Sequence, residues 1–123
     1  MKRFQSMATK GLIVKIFAIA VIVGAMDMTA LSQTRIRFAR GASSATVTGT
    51  LPAGTSRSYV VGARRGQMMT VNVRAAGYVW LDIGGNDVGD GITIECRSTD
   101  DYIITVHNDN DRATRFSLYV AIN

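Results

Sequence analysis

One pattern constrains this chain more than any other. From residue 44 onward, short runs of alternating apolar and polar residues recur at intervals of about ten positions. Met69, Val71, Val73 and Ala75 fall on one parity, with Thr70, Asn72 and Arg74 on the other. Phe116, Leu118, Val120 and Ile122 repeat the pattern near the C-terminus, as do Tyr102, Ile104 and Val106. Shorter sets are Ala45, Val47 and Leu51; Tyr59, Val61 and Ala63; Val79, Leu81 and Ile83; and Ile92, Ile94 and Cys96. Successive side chains of a strand point to opposite faces, so each run predicts a strand with one buried face. Val, Ile, Thr and Tyr dominate these runs and suit a pleated, half-buried surface.

Turn residues punctuate the runs. Pro52-Ala53-Gly54, Arg65-Gly66 and Ala76-Gly77 predict short turns, while Gly84–Asp87 and Asn108–Asp111 predict longer loops. Beyond residue 32, no segment holds a helical period. Strands that are apolar on one face only must bury that face against a second sheet. The expected fold is therefore all-β: one small antiparallel β-sandwich of about seven to eight strands over residues 33–123.

Residues 1–32 read differently. Lys2, Arg3 and Lys10 come first with no acid among them, and the unbroken apolar run Ile16–Met26 follows. That run matches the apolar region of a signal peptide and is well short of the ~20 residues a membrane span needs. Ala30-Leu31-Ser32 then supplies a small-x-small cleavage pattern. The expectation is a cleaved signal peptide over 1–32, a mature chain starting at Gln33, periplasmic or secreted localisation, and no membrane attachment after cleavage.

Cleavage changes the charge. Lys2, Arg3, Lys10, Lys15 and Asp27 leave with the leader, so the net charge falls from +5 to +2. The basic balance belongs mostly to the targeting segment, and a nucleic-acid partner is not expected. The single cysteine, Cys96, leaves no internal disulfide to form. Packing alone must hold the domain together.

Little in the chain points to catalysis. Acyl transfer needs a nucleophile, a base and an orienting group, and this chain has one His and one Cys. Cys96 shares the apolar parity of Ile92 and Ile94, which predicts a buried thiol. His107 sits on the outer parity at a strand end, beside a polar loop, where a solvated ring is expected. Asp82, Asn86, Asp87 and Asp90 offer hard oxygen donors among glycines, a composition that suits calcium but also ordinary turns. No metal and no cofactor is assigned. If Val79, Leu81 and Ile83 face inward, Tyr78 and Trp80 face outward, and exposed aromatics of this kind are frequent anchors of protein contacts. With His107, they are candidate partner-binding residues.

These residues also resemble a known family. Phe38, Arg40, Gly41, Ser43, Ser44 and Ala45, followed by Gly49, are similar to the Phe-x-Lys-Gly-x-Ser-Ser-Ala opening of periplasmic inhibitors of goose-type lysozyme. Tyr59 with Ala63-Arg64-Arg65-Gly66-Gln67, Asp101-Tyr102 leading to Val106, and Asn110 with Arg112 extend the likeness over residues 35–122. The same outline fits the pre-peptidase C-terminal type of sandwich, an exported module that binds carbohydrate, calcium or a partner enzyme. The inhibitor resemblance implies a non-enzymatic protein whose partner is a lysozyme-type peptidoglycan hydrolase. It places the contact at Arg112, with Arg115 close by. The family's aromatic-rich turn after the second strand is replaced here by Pro52-Ala53-Gly54-Thr55-Ser56.

Overall fold

Two sheets close over the apolar parity of their strands. The computed structural model describes residues 33–123, and the signal peptide expected over residues 1–32 lies outside the described residues. Nine strands follow in order: β1 (Gln33–Arg35), β2 (Ser44–Leu51), β3 (Ser56–Ala63), β4 (Met68–Ala75), β5 (Val79–Ile83), β6 (Asn86–Gly89), β7 (Gly91–Glu95), β8 (Asp100–Asn108) and β9 (Thr114–Ile122). The first sheet runs β1-β3-β8-β5-β6 and the second β2-β9-β4-β7. Every pairing is antiparallel except β1 on β3.

The core forms along the alternating parity, except that Ala75, at the end of β4, is exposed rather than buried with Met69, Val71 and Val73, because the strand runs out there into the 76–78 connection. Met69, Val71, Leu81, Ile104, Val106, Leu118 and Val120 are fully buried. Across the sheets, the Tyr59 and Phe116 rings meet edge to face with centroids 6.4 Å apart. Cys96 is buried at 1% exposure. Its thiol is therefore expected to react slowly with a maleimide until denaturant opens the core, as a mass-spectrometric time course would reveal. Labelling as fast as that of a free peptide cysteine would contradict this packing.

Nine strands form where seven to eight were expected; beyond the seven alternating runs the structure adds β1 and β6, and each has a physical reason. The expected loop Gly84–Asp87 contracts to a two-residue turn, Gly84-Gly85, with φ of 59° and 91°. Positive φ at both central positions is what a tight type I′ hairpin requires, so Asn86 already pairs with Ile83 and β6 begins. Asn and Asp are poor strand formers, and the pairing overrides them. At β7, Ile92 has the predicted parity but is 37% exposed. It lies at the sandwich's open side, where Ile83, Val88, Ile94 and Tyr102 line an apolar cleft of about 380 Å³ with it.

The other added strand is β1, whose Gln-Thr-Arg sequence has no apolar alternation. Its partners hold it. Ile36 N–H donates to the Val60 carbonyl at 2.8 Å, and Arg35 donates to Asp101 Oδ2 at 2.8 Å. That side-chain hydrogen bond holds the Asp101 carboxyl below the ordinary carboxylate range and raises the Arg35 guanidinium. The unfolded chain then takes up the Asp101 proton more readily than the fold does. The contact favours the fold above an ordinary Asp value of about 3.9, and that contribution is lost as the pH falls further. Both groups are exposed, so the effect is local and small. After correction for intrinsic rates, the Ile36 amide is expected to exchange faster in Asp101→Asn at about pH 6, and this difference from wild type is expected to shrink as the pH falls through the lowered range of the Asp101 carboxyl. Equal exchange of variant and wild type at about pH 6 would refute a role for the pair in holding β1.

Candidate functional site

Three connections meet at one end of the sandwich: residues 52–55 between β2 and β3, 76–78 between β4 and β5, and 109–113 between β8 and β9. Two asparagines tie them together. Asn108, 1% exposed at the end of β8, donates through Nδ2 to the carbonyls of Leu51, Pro52 and Arg112 at 3.1, 3.2 and 3.0 Å. Its Oδ1 accepts from Asn110 N–H at 3.0 Å, and its own N–H donates to the Thr55 carbonyl at 2.9 Å. A buried amide is favourable only when its donors and acceptors are matched, and this one is matched on both atoms. Asn110 ties the loop to 76–78: its Oδ1 accepts from Tyr78 N–H at 2.8 Å, and its Nδ2 donates to the Ala76 carbonyl at 3.1 Å.

Arg112 stands on this fixed backbone. Its side chain is 83% exposed, and its one ion pair among the described residues is with Asp111, which is 94% exposed, at 3.8 Å. A pair that open contributes little and exchanges easily for a better partner. The guanidinium is therefore available to an incoming carboxylate, which its fork can grip with two parallel hydrogen bonds.

Beside the loops, on the outer face of the first sheet, Trp80 and His107 sit directly opposite each other across β5 and β8. Their rings stack at 4.1 Å with 10° between planes. Trp80 Nε1 donates to Asp109 Oδ2 at 2.9 Å, and His107 Nε2 lies 2.6 Å from Asp82 Oδ2. An ionised carboxylate can only accept, so the proton between Asp82 and His107 sits on Nε2. This corrects the expectation of a solvated histidine: one ring face is stacked on Trp80 and its edge is bonded to Asp82, with its side chain 26% exposed. Trp80 is half-buried rather than freely displayed, whereas Tyr78 is 77% exposed.

The five candidates thus divide. Tyr78, Trp80, His107 and Arg112 converge on one end. Arg115 lies on β9 opposite Thr50, facing outward from the second sheet. Cys96 and His107 do not meet, because the thiol is in the core and the imidazole on the outer face. The Asp-rich stretch 82–90 is occupied by its own chain: Asp82 Oδ1 accepts from Gly85 N–H at 3.1 Å and Asp87 Oδ1 from Gly89 N–H at 2.8 Å. Among the described residues, no three metal-ligating side chains of His, Cys, Asp or Glu converge.

Sequence reasoning missed two groups at this end. Arg57 donates to the Thr50 carbonyl at 3.3 Å, next to the 52–55 connection. The asparagine ties were also missed, although Asn is a residue that readily bonds backbone groups near loops, and that preference was the available signal.

The fold defines a class: a two-sheet, largely antiparallel β-sandwich, with Tyr78 and Arg112 on connections at one end and Trp80 and His107 on the strands beside them. No protein-family model and no curated sequence matches the chain. Solved structures do. It is similar to PliG of Aeromonas hydrophila, a periplasmic inhibitor of g-type lysozyme, with a TM-score of 0.66 and 21% identity over 75% of this chain and 96% of that one. PliG of Salmonella Typhimurium gives 0.58 and 18% over 74% and 97%. A mutant of the Escherichia coli inhibitor gives 0.58 and 17% over the same shares. At these identities the likeness is one of fold.

Proposed function

We propose that this chain is an exported, non-enzymatic inhibitor of goose-type lysozyme that works by occluding the enzyme's cleft, and that its functional unit is the domain 33–123 after signal removal. The observation that carries this reading is Arg112, an exposed guanidinium on a loop whose backbone is pinned by a buried amide. The fold shared with three periplasmic inhibitors supports it.

Glycoside hydrolases of this kind work through carboxyl groups in a cleft. A protruding arginine offers such a group a permanent cation and two parallel donors. Water excluded by the surrounding contact strengthens the pair. Tyr78, Trp80 and His107 lie at the same end of the sandwich as Arg112 and would meet the rim of the cleft. Arg115, on a strand of the other sheet, would contribute less. The purified exported protein, added to a turbidity assay of bacterial lysis, is expected to inhibit goose-type lysozyme more strongly than chicken- or invertebrate-type enzymes run in parallel. Inhibition of none of the three would overturn the proposal.

A further inference from the structure

The same end of the molecule supports a finer statement, which rests on the inhibitor reading. We infer that Asn110 is a positioning residue: it locks the Tyr78 and Arg112 loops into one composite surface, so that an aromatic anchor and a cationic anchor bind as a unit.

The lock is continuous. Tyr78 N–H donates to Asn110 Oδ1, and Asp109 N–H returns a bond to the Tyr78 carbonyl, both at 2.8 Å. Asn110 Nδ2 reaches Thr114 Oγ1 at 3.1 Å, and that hydroxyl donates to the Arg112 carbonyl at 3.1 Å. Gly77 makes the approach possible, for a Cβ there would overlap Asn110 Oδ1, and its φ of 70° suits glycine. The outcome is a rigid span with the Tyr78 ring at one side and the Arg112 guanidinium at the other. A matching partner offers a carboxylate to the arginine and a broad apolar or sugar-shaped ledge to the tyrosine. Short loops that are already ordered lose less freedom on binding, so both anchors engage at lower entropic cost.

The test is a set of inhibition constants against goose-type lysozyme, with melts confirming that each variant is folded at the assay temperature. Asn110→Ala is expected to weaken inhibition about tenfold or more. That penalty is expected to shrink at least about threefold when Arg112 or Tyr78 is already Ala, since coupled groups are not additive. Gly77→Ala opens the same contact without touching Asn110 and serves if Asn110→Ala does not fold. A penalty of equal size in all backgrounds, or none in an otherwise inhibitory protein, overturns the inference. Hydrogen exchange on the free protein separates this from failure of the functional reading. Faster exchange of the Tyr78 and Asp109 amides in the variants supports the lock even if the wild type inhibits no lysozyme. Unchanged exchange refutes the lock regardless of inhibition.

Discussion

Replacing Arg112 with Ala is expected to weaken inhibition of goose-type lysozyme by tens- to thousands-fold while leaving the melting temperature almost unchanged. If the guanidinium pairs with a cleft carboxylate from which water is excluded, removing it strands that charge, at a cost on the order of 2–5 kcal/mol of binding. The folded domain loses only the open contact with Asp111 at 3.8 Å, so stability is expected to move by less than about 0.5 kcal/mol. Arg115→Ala should matter less, because its residue leaves the other sheet face. Trp80→Ala is the informative comparison. Should it hurt more than Arg112→Ala, the outer face of the first sheet makes the contact. A wild-type inhibitor indifferent to both substitutions would place the site elsewhere on the molecule.

The second large effect concerns stability. Leu118 is fully buried on β9, the strand between β2 and β4, with Val47 and Val73 as its cross-strand partners. Leu118→Ala removes buried methyl groups and leaves a cavity that the flanking strands cannot close, at a cost of about 3–5 kcal/mol. A domain of this size with no disulfide has a total stability of about 5–15 kcal/mol, so this one change removes a large fraction of it. Each kcal/mol shifts the melt by roughly 4–8 °C in a domain of this length, so a fall of at least about 12 °C is expected by calorimetry. A fall of under about 5 °C would mean that the core collapses around the gap far better than its packing implies. Together the two variants separate function from fold: Arg112→Ala should lose inhibition and keep its melt, whereas Leu118→Ala should inhibit normally wherever it remains folded.

Much of the architecture was legible in residues that act locally. The parity of Met69–Ala75 and Phe116–Ile122 predicted which side chains turn into the core, all but the strand-end Ala75, because a strand's period is fixed by backbone geometry and its apolar face has one place to go. The burial of Cys96 was legible for the same reason. The strands hidden from that reasoning, β1 and β6, are those whose residues carry no apolar alternation. Partner strands impose them, and a partner is a long-range fact that no local window contains.

The loop end of the sandwich divides along the same line. By itself, the sequence determined the candidates: an outward Tyr78 and Trp80, a histidine at a strand end, and an arginine in an Asn- and Asp-rich loop. Only the tertiary structure decided which of them share a surface. It stacked His107 on Trp80 and bonded it to Asp82, residues at least 25 positions away along the chain, and sent Arg115 to the other sheet. It also turned Asn108 and Asn110 from turn formers into ties between three loops. The reason is physical. A strand's face is set by the residue's own backbone, whereas the partners of a loop side chain are set by which carbonyls the closed sandwich brings within 3 Å or so of it.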